Sequence, residues 1–185
     1  MLTELLLFVS QTVVSFFISL LLLRFYCHLI KLNLRWVGGN LGLFIFQLTD
    51  WLVLPLKRLF PVIKNFDSAS MLSAYLAQFV YTGLKFFILS GSFHLAGVSV
   101  MAVFELLSAC ISSLTGLIFI SVLLSWVSVN DQLRYLMDML VTPLLRPFRA
   151  IIPLVAGIDL SPLAALLSLQ IANIVLQGIQ RQSLF

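Results

Sequence analysis

Four long apolar runs decide what this chain can fold into. Residues 5–23, 70–89, 96–127 and 162–179 are continuously apolar, and Lys85 and Glu105 are the only charged residues inside them. A helix rises about 1.5 Å per residue, so roughly 20 such residues cross the roughly 30 Å hydrocarbon core of a bilayer. The third run is longer than a crossing needs, so part of it tilts or protrudes. The runs are unbroken rather than alternating, which excludes a β-barrel. Composition closes the other exits. With 61% hydrophobic and 10% charged residues in 185, a soluble domain could not hide its apolar surface, because a chain of this size leaves about a third of it in water. Disorder requires the opposite composition. The expected fold class is an all-α membrane protein with four transmembrane helices. The start, MLTELLLF, has an acid and no base before the apolar run, so it lacks the basic region of a cleaved signal and should persist as a span.

The loops between these runs resemble each other. Residues 49–71 align without gaps on 141–163: Pro55 on Pro147, Lys57 on Arg149, Pro61 on Pro153 and Asp67 on Asp159. Gln78 in the second run then aligns with Gln170 in the fourth. Six residues separate the prolines, and six more lead to the aspartate, in both copies. The chain therefore reads as two repeats, 1–92 and 93–185, each a span, an interfacial segment and a span. An even number of spans per unit makes the repeats parallel rather than inverted. In the second loop Leu140, Val141, Leu144, Leu145, Phe148, Ile151 and Ile152 recur at helical spacing, with Thr142, Arg146 and Arg149 opposite. That is the pattern of an amphipathic helix in the membrane interface. Thr142-Pro143 reads as a helix start, and Pro147 as a kink. The counterpart at 48–60 is less clean, because Val53 and Leu54 interrupt its polar face.

Orientation follows from the bases. Arg24, Lys31, Arg35, Lys57, Arg58 and Lys64 attend the first loop, and Arg134, Arg146 and Arg149 the third, which is nine of the eleven. The positive-inside rule puts these loops in the cytoplasm and both termini outside. Trp36, Trp51, Trp126, Tyr26 and Tyr135 fall near the expected boundaries, where amphipathic rings prefer to lie. The net charge of +4 is thus a matter of topology, and a nucleic-acid partner is not expected.

The segment PLLRPFRAIIPLVAGIDLSPLAALL, with LLSWVS before it, resembles the signature of the YggT family of small bacterial inner-membrane proteins, relatives of the YlmG proteins of Gram-positive bacteria and plastids. The two-copy arrangement is similar to that of proteobacterial members, and the resemblance covers nearly the whole chain. The first copy departs from it: Ala69 and Ser70 replace Ser161 and Pro162, His28 stands near the usual tryptophan place, and Arg24 has Ser121 as its counterpart. The resemblance implies an inner-membrane location and roles in osmotic tolerance and ion homeostasis, cell division and nucleoid placement, or cytochrome assembly.

Each notable residue carries a structural and a functional reading. Asp159, Ser161 and Pro162 fit the N-cap and first turn of the fourth span, and Asp67 does the same for the second. Alternatively Arg149 and Asp159 form a surface for a partner or a lipid headgroup. Arg146, Arg149, Lys57 and Arg58 suit anionic headgroups. Together with Pro55, Pro61, Pro147 and Pro153 they make up the motif and interface candidates. Lys85 and Glu105 are the intramembrane polar candidates: either they pair with each other, or Lys85 snorkels to the outer interface and Glu105 caps the apolar part of the third helix. Stripes of Gln11, Ser15 and Ser19, of Ser108, Ser112, Thr115 and Gly116, and of Gln170, Asn173 and Gln177 suit helix packing, though a conduction path uses the same residue types. His28 and His94 are isolated, Cys27 and Cys110 fit no metal or disulfide spacing, and no catalytic, cofactor or metal motif is expected. The expected function is a non-enzymatic scaffold or assembly factor that works through its cytoplasmic loops, with membrane lipids and other membrane proteins, or its own copies, as partners. The alternative is an ion-linked protein, a small channel or transporter modulator.

Overall fold

The computed structural model describes residues 2–59, 67–90, 94–127, 131–152 and 159–182, and the regular structure among them is helical throughout. In chain order the helices are α1 (Leu2–Leu29), α2 (Leu34–Val37), α3 (Gly39–Leu59), α4 (Ser68–Ser90), α5 (Leu95–Trp126), α6 (Asp131–Ile151) and α7 (Ser161–Gln182). Five segments are long and apolar enough to cross a membrane: Thr3–Leu29, Gly39–Arg58, Ser68–Leu89, Leu95–Trp126 and Ser161–Gln182. Their outward faces keep the surface apolar. Phe8, Phe16, Leu84, Phe119, Leu163 and Ile171 are all exposed, a disposition suited to lipid rather than water. This is the architecture of a membrane protein.

α5 is the hub, packing against α1, α4, α6 and α7, while α1 also packs against α4 and α3. One core joins Ile18, Leu21 and Leu22 of α1 to Val53, Ala69, Ala74 and Leu106. Ala69, Ser70, Ser73 and Ala74 are fully buried at the start of α4; side chains this small let helices approach closely where no water drives them together. Hydroxyls there bond within their own helix, as Ser73 Oγ donates to Ala69 O at 2.6 Å and Thr49 Oγ1 to Ile45 O at 2.7 Å. A second core gathers Cys27, Leu34, Ile45 and Ile118 with Leu136, Leu140, Val141 and Leu145 of α6. Tyr26 joins α1 to α6 by donating to Leu140 O at 2.8 Å. α2 and α3 approach so closely that a Cβ on Gly42 would fall on the Leu34 carbonyl oxygen.

Two elements differ from the sequence expectation. Residues 48–60 were expected as a short interfacial segment, whereas α3 begins at Gly39 and Gly39–Arg58 qualifies by length and apolarity as a span. Asp50, the acid that makes this stretch look too polar, is held by Arg24 and Arg35 at 2.6 and 3.3 Å. The pairing is tertiary and is not visible along the chain. α6 does not start at Thr142-Pro143. It starts at Asp131 and continues through Pro143 and Pro147. An interior proline costs a helix about 3 kcal/mol, and burial of Leu136, Leu140, Val141 and Leu145 offsets it. Leu144 and Phe148 lie partly buried beside them, Arg134, Thr142, Arg146 and Arg149 are exposed, and Ile151, expected on the apolar side, is exposed as well.

Candidate functional site

Polar residues gather at three places. The first is a pair of clips. Lys57 Nζ meets Asp67 Oδ2 at 3.5 Å, and Arg149 Nε meets Asp159 Oδ2 at 2.9 Å. These are the aligned base and acid of the two loops, ten residues apart in each. Each acid also serves the helix that follows. Asp67 accepts from Ser70 N–H at 3.4 Å and from Ser70 Oγ at 2.7 Å, and Asp159 accepts from Ser161 N–H at 2.9 Å. Burial pushes the Asp67 carboxyl up, but the Ser70 hydroxyl and Lys57 outweigh it, so it sits below the usual carboxylate range. Asp159 is lowered too, first by the Ser161 side chain beside it and then by the Ser161 N–H and Arg149. Of the two groups expected to cap α7, the carboxylate is the one in hydrogen-bond geometry. The Ser161 hydroxyl is buried without a hydrogen-bond partner, so it is the Ser161 N–H that binds Asp159. Pro162 lies in the first turn of α7, where its missing N–H leaves no bond unmade. Arg146, Pro147 and Pro55 are exposed; Pro61 and Pro153 lie outside the described residues.

The second place is a cavity of about 370 Å³ at the C-terminal end of α1, lined by Arg24, His28, Lys31, Phe46, Lys57 and Asp67 among others. Arg24 is buried. Its Nη1 donates to Thr49 Oγ1 at 3.0 Å and to Asp50 Oδ1 at 2.6 Å. The guanidinium groups of Arg24 and Arg35 both lie 4.4 Å from the centre of the Phe46 ring, within cation–π range. Sequence reading took Arg24 and Arg35 as topology signals only and passed over Asp50 and Phe46. Nothing in the spacing of residues 24, 35, 46 and 50 marks them as neighbours.

The third place is an open cleft between four helices, with Gln11, Ser15, Ser112, Gln177 and Arg181 of its lining exposed. The polar stripes of four helices converge on a cavity of about 500 Å³. α1 contributes Gln11, Ser15 and Ser19; α4 contributes Gln78, Tyr81 and Lys85; α5 contributes Glu105, Ser108 and Ser112; α7 contributes Gln177, Gln180 and Arg181. Glu105 Oε2 accepts from Gln78 Nε2 and Thr82 Oγ1, both at 2.5 Å. Lys85 and Glu105 thus share a cavity, and among the described residues they form no ion pair with each other. Part of each stripe does serve packing: Ser108 Oγ donates to Asn173 Oδ1 at 2.9 Å and Ser113 Oγ to Ser19 Oγ at 3.2 Å. Arg181 and Thr82 were missed by sequence reading. Thr82 was detectable, since it stands four residues after Gln78 on the same helix face.

Comparison with known proteins bears on all three places. The CCB3/YggT family model matches residues 3–88 and again 100–180. The chain belongs to the CCB3/YggT family. Among its relatives, the uncharacterized protein YggT of Escherichia coli strain K12 is 28% identical over 171 residues, covering 90% of this chain and 86% of that protein. An uncharacterized protein in the proC 3' region of Vibrio alginolyticus is 31% identical over 179 residues, 93% of each chain. An uncharacterized protein of Pseudomonas aeruginosa is 30% identical over 174 residues, 91% of this chain and 86% of its own length. No solved structure matches the chain. Each of the two YggT matches contains one base–aspartate clip, Lys57–Asp67 in the first and Arg149–Asp159 in the second. The YggT match takes in the bundle cavity as well, up to Gln180.

Proposed function

We propose that this chain is a multi-pass, non-enzymatic protein of the bacterial inner membrane with an ion-linked function, in which the bundle cavity takes up a small ion. The observation that carries the reading is the convergence of Glu105, Lys85, Arg181 and four polar stripes on one space between apolar helices. Polar and charged groups at membrane depth are costly, and function is the usual reason for them. Packing by itself would be served by small residues with their hydroxyls bonded at home. α1, α4, α5 and α7 are the four spans in this reading. α3 is the sequence counterpart of α6, which is too polar to cross, and like it lies along the interface. The two family matches and the two equivalent clips support a parallel pair of repeats. Arg24, Lys31, Arg35, Lys57, Arg58, Arg134, Arg146 and Arg149 then face the cytoplasm, and the mouth of the bundle cavity, near Lys85 and Arg181, faces outward. The exposed Trp36, Trp51 and Trp126 suit interfacial anchors.

The test is ion flux through purified full-length protein in liposomes, measured for potassium and sodium. Glu105→Gln keeps the shape of the acceptor and removes its charge. Wild-type vesicles are expected to pass or exchange at least one of these cations, and the variant to do so about tenfold more slowly, as loss of a charged contact implies. No flux from well-folded wild type overturns the ion-linked reading. A scaffold role through the cytoplasmic loops is the second reading, favoured by the exposed Arg134, Arg146 and Arg149 on the outer side of α6. It takes the first place if flux is absent and Arg146→Gln with Arg149→Gln abolishes crosslinking to a membrane partner.

A further inference from the structure

α1 ends in a way that its sequence makes unfavourable. Leu32 N–H donates to Cys27 O at 2.8 Å, and Lys31 N–H to His28 O at 3.1 Å. This pair of bonds is the Schellman ending, in which the turning residue takes the left-handed conformation and glycine is its usual occupant. Here the turning residue is Lys31, with φ of 59°. Among the described residues it is the only one other than glycine with positive φ. Its Cβ makes that conformation costly, and strained backbone of this kind concentrates at ligand sites.

Lys31 also lines the cavity at the end of α1, with Arg24, His28 and Lys57. Four basic side chains, those of Arg24, Lys31, Arg35 and Lys57, meet two carboxylates around this space, and both carboxylates are already engaged. Asp50 is held by Arg24 and Arg35, and Asp67 by Lys57 and Ser70. Lys31 has no carboxylate partner among the described residues. A second cavity, of about 560 Å³, shares Lys31 and Leu32 with the first and brings in Arg146 together with the carboxylate of Asp138. The helix end is thus turned, against backbone preference, at a lysine that lines both cavities and has no ion pair among the described residues.

We propose that the cavity formed by Arg24, His28, Lys31 and Lys57 binds a phosphate-bearing anion. Lysine and arginine offer donors only, and phosphate oxygens accept only, so the match is one of both charge and hydrogen bonding. The phosphate is that of a lipid headgroup or of a free anion; basic pockets beside spanning helices on the cytoplasmic side serve the former. The site takes its α1 residues from Arg24 onward, beyond Ser19, and shares no lining residue with the bundle cavity, so it stands or falls independently of cation flux.

The decisive variant is Lys31→Gly, because a purely structural lysine and a ligand-binding one give opposite results. The full-length protein in maltoside detergent is titrated calorimetrically with inorganic phosphate and, separately, with dihexanoyl phosphatidylglycerol below its micellar concentration. Wild type is expected to bind at least one probe. Lys31→Gly should weaken that binding by about tenfold or more, as loss of one charge-assisted contact implies. The same variant without ligand should melt at the same temperature as wild type or higher, since glycine relieves the left-handed strain. Lys31→Arg should retain binding. Binding of phosphatidylglycerol alone assigns the site to lipid, and binding of inorganic phosphate alone to a soluble anion; binding of both leaves the phosphate group as the recognised element. The proposal is overturned if wild type binds neither probe, if Lys31→Gly binds as well as wild type, if Lys31→Gly melts lower than wild type, or if Lys31→Arg loses binding as fully as Lys31→Gly.

Discussion

At the scale of single residues, Asp159 and Ser161 show how a string leaves a choice that geometry makes. Asp-Leu-Ser-Pro before an apolar run offers either side chain as the cap, and it is Asp159 that accepts the Ser161 N–H, while the Ser161 hydroxyl is buried outside hydrogen-bond geometry. A buried hydroxyl outside hydrogen-bond geometry does not cap the helix end, and it loses its hydration. Ser161→Ala should therefore change stability by less than about 0.5 kcal/mol, or raise it slightly. Asp159→Ala should lower it by about 1 kcal/mol, the usual worth of an N-terminal cap. Thermal unfolding in detergent, followed by helical circular dichroism, distinguishes the two. A large loss in Ser161→Ala with none in Asp159→Ala would restore the serine cap. Glu105 makes the complementary point. Its place as a charge inside an apolar run was legible from the chain, but its partners were not. Lys85 looked suitable by charge and neighbouring helix, whereas the structure gives Glu105 the amide of Gln78 and the hydroxyl of Thr82.

At the scale of elements, the two clips make the helix junctions sensitive to acid. A carboxyl whose pKa is lower in the folded state than in the unfolded one stabilises the fold above the unfolded pKa. That contribution is lost as pH falls through the folded value. Asp67 and Asp159 are both lowered, and an unfolded aspartate titrates near about 3.9. Stability should thus hold from neutral pH down to about 4 and fall below it. Asp67→Asn should flatten this fall more than Asp159→Asn, because Asp67 is the more buried of the two and its charge is less screened. Equal acid sensitivity in wild type and Asp67→Asn would show that other groups control it. The start of α6 was not legible, for an equally physical reason. Two prolines within five residues argue locally for a break, and only the buried row on the facing side of the helix outweighs them.

At the scale of the whole molecule, orientation is the property most open to direct test. The proposed orientation, both long loops in the cytoplasm and both termini outside, rests on the placement of the bases. Alkaline phosphatase, active only outside the cytoplasm, should work when fused after the C-terminal residue and fail when fused within residues 57–64. If α3 crosses the membrane as well, the two ends of the chain lie on opposite sides, and the C-terminal fusion together with one at the N-terminus reveals it. Activity of the 57–64 fusion with silence of the C-terminal one reverses the orientation altogether.

What the sequence determined by itself follows from terms that add up along the chain. Continuous apolar runs of spanning length exclude water as the solvent of the fold, and each helix satisfies its own backbone, so membrane residence and helical class need no knowledge of neighbours. The family was legible for a similar reason: the proline, base and aspartate of its motif keep their spacing in one local segment. Only the tertiary structure decided which polar residues meet. Asp50 reads as a charge in an apolar stretch until Arg24, from another helix, is placed 2.6 Å away. Lys31 reads as a topology signal until its backbone is seen to be left-handed. Gln11, Glu105 and Arg181 read as separate events until four helices bring them to one cavity. Hydrophobicity is a sum over residues and can be read in order. A charge pair, a strained turn or a shared cavity depends on distances between segments far apart in the chain, and those distances come into being only when the helices pack.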